Sequence, residues 1–333
     1  MDTNQLGFSD LHLTSLGLGT WAIGGGGWDY GWGPQDDARS LEAIDRALEL
    51  GIHWIDTAPA YGLGHSEEIV GQAISGRRNE VIVATKCGLV WDEGAHSTYE
   101  RLTAESVRQE AEDSLRRLDV DVIDLYQIHW PDPEEQIEEA WATIAELIEK
   151  GKIRYGGVSN FSVEQLKRIQ PIHPVASLQP PYNMLERDIE EELLPYCAEH
   201  DIGVIAYSPM QSGMLTGKYD RESIEAMPEE DWRKDSKHFT EPELSANLRL
   251  IEGLRPIAER NDKTLPQLAI AWVLERPEVT AAIVGARKPE QIEETAVAGS
   301  WDLSEKDLEE IEALLEKRES RLTDAGPDRH PGA

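Results

Sequence analysis

Residues 51–75 read GIHWIDTAPAYGLGHSEEIVGQAIS: a short apolar run, a turn containing glycines, then an amphipathic stretch. The run near 53–58 has the β-branched and aromatic content of a strand. The stretch near 65–75 carries apolar residues at helical spacing and stops at Gly76, where a residue free to adopt positive φ ends helices readily. Together they make one β–α unit.

Outward from this unit the same pattern recurs along the chain. Strand-like runs lie near 16–23, 80–87, 122–130, 153–159, 175–180, 203–209 and 281–285. Helical patterns lie near 36–50, 103–118, 136–150, 162–170, 188–200, 264–276 and 288–298. Thr103 and Ser162 supply N-caps, and Gly51 and Gly151 supply stops. Eight alternating pairs predict a closed (β/α)8 TIM barrel of the α/β class rather than an open doubly wound sheet. The GGGG at 24–27 lacks the spacing of a GxGxxG dinucleotide loop. Three segments fall outside the pairs: an N-terminal β-hairpin at 5–15 and two extra helices at 242–261 and 302–318. No linker divides the chain, so a single domain is expected over 1–320, followed by a disordered tail at 321–333.

Lys and Arg number 32 against 64 Asp and Glu, a net charge of −32. Nucleic acid would repel such a surface, because its binding rests on neutralising phosphates with cations. No apolar run approaches a membrane span, the N-terminus has no secretory pattern, and two cysteines make no disulfide framework. These features point to a cytoplasmic protein, monomer or homo-oligomer, with no nucleic-acid or membrane partner. The carboxylates are spread over nearly every helix, which reads as a halophilic surface adapted to high salt.

In such a barrel, chemistry sits at the C-terminal ends of the strands. Asp56 ends HWIDTA, Tyr61 follows in the next loop, Lys86 ends VIVATK and His129 ends IDLYQIH. Ser159 and Asn160, Gln179, and Tyr207 with Ser208 end three more strands. Alternation along a strand puts Lys86 inside and Cys87 outside, and Leu125, Gln127 and His129 inside with Tyr126 and Ile128 outside. A lone tyrosine after a strand is ordinarily structural, and a lone strand-end histidine ordinarily a satisfied core residue. A buried lysine requires a partner, which Asp56 supplies. Four such groups at one rim are hard to explain as packing alone. A cation beside a phenol lowers its pKa, so Tyr61 next to Lys86 is expected to give up a proton at neutral pH. His129 would either orient a substrate oxygen or share that proton.

At this level of detail the sequence resembles the aldo-keto reductases over essentially its full length. The motifs that carry the resemblance are LGLGTW, GIHWIDTAPAYGLGHSEEIVGQAI, VATKCG, DLYQIHWPD, GGVSNFS, LQPPYN, AYSPMQSGMLTGKY and IVGARKPEQIEE. It looks most like the bacterial and archaeal general stress reductases and the potassium-channel β-subunits. The resemblance implies a catalytic set of Asp56, Tyr61, Lys86 and His129, with NADPH, or NADH in its place, lying extended across the rim. Ser159, Asn160 and Gln179 would hold the carboxamide and Tyr207 would stack on the nicotinamide. Ser208, Met210, Gln211, Gly213 and Lys218 would belong to a belt over the pyrophosphate. Arg287 or Lys288 would pair with a 2′-phosphate, and Gln291 and Glu294 would reach the adenosine. Thr20, Trp21, Asp56, Pro209 and Gly285 complete the implied cofactor contacts. Thr295 departs from the family pattern, which usually has asparagine there.

The implied activity is reduction of aldehydes or ketones, sugar carbonyls among them, to alcohols by hydride transfer, with Tyr61 as general acid. Tryptophan-rich loops (Trp21, Trp28, Trp32, Trp91, Trp130) would wall the substrate pocket, and Trp21, Tyr61, Trp91, His129 and Trp130 are its expected substrate contacts. The alternative is a slow NADP(H)-binding redox sensor or regulatory subunit. A metal-dependent isomerase is disfavoured, since no other strand-end histidine or carboxylate completes a ligand set, and no metal is expected. The charge reading makes its own prediction. Thermal melts should shift upward in molar KCl, where the Debye length falls to roughly 3 Å; melts that gain nothing would contradict salt adaptation.

Overall fold

The protein is described by a computed structural model covering residues 1–229 and 231–325. The chain opens with an antiparallel hairpin, β1 (Thr3–Gln5) and β2 (His12–Thr14). Barrel strands β3 (Leu16–Gly19), β4 (Trp54–Asp56) and β5 (Ile82–Cys87) follow, then a second small hairpin, β6 (Leu89–Val90) and β7 (Tyr99–Glu100). The barrel continues with β8 (Ile123–Ile128), β9 (Ile153–Ser159), β10 (Ser177–Gln179), β11 (Gly203–Ala206) and β12 (Val279–Gly285). All eight barrel strands pair in parallel, and β12 closes on β3 with Gly285 opposite Gly19. The expected barrel and its starting hairpin are both present; the β6–β7 hairpin, too short to show periodicity, was not foreseen.

Alternation along each strand splits the core into two layers. Ile55, Val83, Cys87, Tyr126, Ile128 and Val158 face outward and pack under the helices. Inside the barrel, Trp54, Ala84, Leu125, Ile205 and Ala281 meet Leu6, Leu11 and Leu13 of the N-terminal hairpin, which plugs the bottom. Trp54 fills the floor and donates its indole N–H to the carbonyl of Thr14 at 2.9 Å. Position 17 must be glycine for this, because a Cβ there would lie 2.1 Å from the Trp54 ring. Each large apolar side chain buried in this floor contributes about 1.5–3 kcal/mol. Dry packing below leaves the upper half of the barrel to the polar strand ends Asp56, Lys86, Gln127, Ser159 and Gln179.

The outer helices begin where the sequence offers caps. The Thr103 side chain accepts from Ser106 N, and Ser162 and Thr264 each form a reciprocal capping box with a glutamine three residues on. Arginines tie neighbouring helices together: Arg39 to Glu290, Arg46 to Glu293, Arg108 to Glu146 and Arg168 to Glu138. These pairs are half-exposed, so each adds only a fraction of a kcal/mol or so. The extra helices span Glu243–Arg260 and Glu305–Ala325 and pack on each other. The second runs past the expected boundary at 320, so the presumed tail is helical through Ala325; residues 326–333 lie outside the described residues. Among the described residues no helix is long and apolar enough to cross a membrane.

Candidate functional site

Asp56 ends β4 and Lys86 sits one residue before the end of β5, both side chains pointing into the barrel. The Lys86 ammonium is fully buried and spends its donors on Asp56 Oδ1 at 2.7 Å, the Thr57 carbonyl at 2.9 Å and the Tyr61 hydroxyl at 3.1 Å. Asp56 Oδ2 accepts from Gln179 Nε2 at 2.9 Å and from Gln127 Nε2 at 3.5 Å. A charge removed from water is tolerable only when paired and hydrogen-bonded in this way.

Tyr61 is carried back over Lys86 by a tight turn in which Tyr61 N donates to the Ala58 carbonyl and Gly64 N to that of Pro59. Gly62 adopts φ +65°, and a Cβ there would sit 2.2 Å from the carbonyl oxygen of Gly24, so only glycine lets the two loops touch. The buried hydroxyls of Thr20, Thr57 and Ser66 join β3, the turn and the following helix. Opposite, His129 is fixed through its backbone N–H to the Cys87 carbonyl, and its ring meets that of Tyr61 edge-on with centroids 5.9 Å apart.

The neighbouring strand ends interlock. Asn160, at φ +64°, donates to the His129 carbonyl and to Ser159 Oγ, each at 3.0 Å. Ser159 Oγ donates to the Gln179 carbonyl at 2.8 Å, and the Tyr207 hydroxyl donates to Asn160 Oδ1 at 2.9 Å.

Electrostatics sharpen the chemistry. Burial raises the pKa of the Tyr61 phenol; the Lys86 ammonium pulls it down and Asp56 adds to the rise, leaving the net direction upward. The expected net fall is therefore corrected: desolvation of a phenolate outweighs a lysine whose charge is largely answered by Asp56. For Lys86, burial works to lower the pKa, but Asp56 and the Tyr61 oxygen outweigh it and the ammonium is held charged. Burial, and next the Lys86 charge, hold the His129 imidazole well below its usual range, so it is neutral at pH 7. Burial pushes the Cys87 thiol far upward, as suits an inert packing residue.

A cleft of about 1120 Å³ runs across the barrel mouth. Around the Lys86–Tyr61 contact Thr20, Trp21, Asp56, Tyr61, His129, Trp130, Ser159, Asn160, Gln179 and Tyr207 line it. Ser208, Pro209, Met210, Gly213 and Lys218 continue the wall, and Gly285, Arg287, Gln291 and Glu294 line the far end. The cations Arg255 and Lys263, from the helix at 243–260 and the turn after it, join Lys218 and Arg287; the carboxylates Asp29 and Glu100 stand on the β5 side with Trp28, Tyr30, Leu89 and Thr98.

The loop before the first helix, 25–35, arches over this cleft. His96 and Gly27 bond across 2.8 Å and Asp29 N donates to the His96 carbonyl, which anchors the arch to the β6–β7 hairpin. Trp28 lies 6.4 Å from the Tyr61 ring. The loop at 208–239, which shows no periodicity in sequence, contains, among its described residues, 3-10 turns and a short helix at Arg221–Glu225. Trp232 stacks on Trp21, just before the arch, with centroids 5.7 Å apart, and Arg233 over Trp32 joins this loop to the arch itself.

Three expected site residues are placed differently. Trp91 faces the Arg117 guanidinium at 5.8 Å and does not line the cleft, because Arg117 is held there by Glu67 at 2.6 Å. Gln211 is buried, accepts from Asn183 Nδ2 and does not line the cleft. Arg287 reaches the cleft but its guanidinium is bonded to the arch. Asn183, fully buried and also donating to the Ser208 carbonyl, was missed as an individual residue within LQPPYN. Glu100, Asp29, Arg255 and Lys263 were missed because they arrive from outside the strand ends.

A parallel barrel with a buried lysine beneath a tyrosine, opening on a long cleft, is the arrangement that the sequence resemblance implies. The description "Aldo/keto reductase family" matches residues 15–316, and the chain belongs to that family. It is 40% identical over 319 residues to an aldo-keto reductase of Bacillus subtilis (strain 168), covering 95% of this chain and 94% of the relative. It is 36% identical to the NADH-specific methylglyoxal reductase of Escherichia coli (strain K12), covering 94% of this chain and 98% of that one. The structure of a glycerol dehydrogenase from Gluconobacter oxydans superposes with a TM-score of 0.88 at 39% identity, covering 100% of this chain and 99% of the other. Members of the family use nicotinamide cofactors.

The raised Tyr61 pKa is measurable. A difference titration of wild type against Tyr61→Phe should show no phenolate from Tyr61 until above about pH 10, the ordinary tyrosine value. A tyrosinate signal from Tyr61 near neutral pH would contradict the assignment.

Proposed function

We propose that the protein reduces small neutral aldehydes and ketones to alcohols, with NADPH as hydride donor and Tyr61 as proton donor. The observation that carries this reading is the buried contact chain Asp56–Lys86–Tyr61, with steps of 2.7 and 3.1 Å. As negative charge grows on a carbonyl oxygen, a neutral phenol held against an ammonium can hand over its proton and leave the phenolate beside a cation. General acid catalysis of this kind is worth about 10²–10⁴ in rate. The raised Tyr61 pKa suits reduction, since the acid arrives protonated; alcohol oxidation requires the phenolate and should rise with pH. A neutral His129 acts here as a hydrogen-bond donor that orients the substrate oxygen.

The residues fit an extended dinucleotide. Ser159, Asn160 and Gln179 sit together to hold a carboxamide, and the Tyr207 ring lines the cleft beside them. Lys218, Arg255, Lys263 and Arg287 are the cations along the phosphate end, where the N-terminus of the helix Pro289–Ala296 adds its dipole. When bound, the cofactor supplies the hydride. Arg287 and Lys288 are the residues offered to a 2′-phosphate. Uncharged substrates are favoured by the carboxylates Asp29 and Glu100 at the open side, and the names of the two relatives, a methylglyoxal reductase and a glycerol dehydrogenase, agree with small carbonyls and polyols.

Steady-state turnover of methylglyoxal and 4-nitrobenzaldehyde with NADPH and NADH, in molar KCl, tests the reading. Tyr61→Phe should lower kcat by about 10²–10⁴ while cofactor affinity stays unchanged. A single slow turnover followed by a stall with retained NADP⁺ would instead identify a sensor.

A further inference from the structure

Recognition of a 2′-phosphate by arginine needs a free face of the guanidinium, because the phosphate oxygens accept its N–H groups in parallel. In this chain each of the three guanidinium nitrogens of Arg287 already donates once. Arg287 Nε donates to Gln35 Oε1 at 2.7 Å, Nη1 donates to the Trp32 carbonyl at 3.1 Å, and Nη2 donates to the Pro34 carbonyl. Gln35 grips the same residue twice, since its Nε2 donates to the Arg287 carbonyl at 2.8 Å. The amide orientation is settled by its partners: Nε2 also donates to Ser40 Oγ at 3.0 Å, whereas Oε1 faces a donor. The acceptors on Arg287 are all neutral, so a phosphate dianion can outcompete them, but a bidentate contact through Nε and Nη2 requires the bonds to Gln35 and Pro34 to break. Glu259 and Glu294 also line the cleft, and their negative charge disfavours a further anion there.

We infer that Gln35 is a cofactor-selectivity residue: it clamps Arg287 to the arch, so that NADPH binds by pulling Arg287 away whereas NADH binds with the clamp closed. The inference rests on the reading that this cleft holds a nicotinamide dinucleotide. It has a second consequence, because the arch held by Arg287 also carries Trp28 beside Tyr61 and Trp32 edge-on to Trp21 at 6.0 Å. Releasing the clamp for NADPH loosens the wall of the substrate pocket, so the two cofactors present different pockets to the same carbonyl. Binding free energies linked through one element are reciprocal, and a tight-binding carbonyl will in turn favour NADH.

Affinities for NADP⁺ and NAD⁺, measured without turnover by quenching of tryptophan fluorescence, test this. Gln35→Ala should tighten NADP⁺ by about fivefold, the worth of roughly one hydrogen bond, and leave NAD⁺ nearly unmoved. Gln35→Glu, which converts the clamp to a charged pair, should weaken NADP⁺ selectively and guards against a fold defect in the alanine variant. In an Arg287→Ala background Gln35→Ala should lose its effect on NADP⁺. Equal shifts for the two nucleotides, or an effect of Gln35→Ala that survives without Arg287, would overturn the inference. Should neither nucleotide bind the wild type, the reading of the cleft itself fails and takes the clamp with it.

Discussion

The upper half of the barrel is organised by one buried charge. Lys86 is fully enclosed, and an unpaired ammonium there would be lost to neutralisation or would unfold its surroundings. Asp56 answers it across 2.7 Å, Gln179 and Gln127 satisfy the second carboxylate oxygen, and Thr57 turns its carbonyl inward to take another donor. Removing one partner of such a pair typically costs about 3–5 kcal/mol. The Tyr61 hydroxyl completes the shell of Lys86, so the group proposed to do chemistry is also the last contact of the ion.

The remainder of the fold can be understood as what that arrangement requires. Trp54 and the N-terminal hairpin keep the barrel floor dry and rigid, which fixes the strand ends above. Glu67 takes the Thr85 hydroxyl at 2.6 Å and Arg117 on its other oxygen, locking the strand that carries Lys86 to two helices. Buried Glu110 accepts from Gly88 N at the end of the same strand, and burial raises its pKa to about 7. Over this frame lie two loops, the arch at 25–35 and the belt after β11, joined where Arg233 lies over Trp32 and held by Arg287 and Asn183.

Much of this was legible in the sequence because alternation is a local rule. Placing Lys86 inward fixed Cys87 outward, and the same parity set Gln127 and His129 against Tyr126 and Ile128. The loops obey no period, and there legibility ended. Trp91 looks like its tryptophan neighbours until Arg117 is seen beneath it, and the Gln35–Arg287 contact spans 252 positions. The belt appears structureless because tertiary partners, not helical spacing, hold it: Asn183 pins the Ser208 carbonyl, and Trp232 seats on Trp21. The direction of the Tyr61 shift was likewise hidden, since it depends on how far burial outweighs a lysine already shared with Asp56.

In the proposed reaction Lys86 acts through Tyr61 and not beside it. A double-mutant cycle on kcat for carbonyl reduction, with Lys86→Met and Tyr61→Phe alone and combined, measures that coupling most directly. The account predicts strong non-additivity, with the double variant no slower than the worse single one. Effects that simply add would mean that the two side chains work independently, and would contradict it.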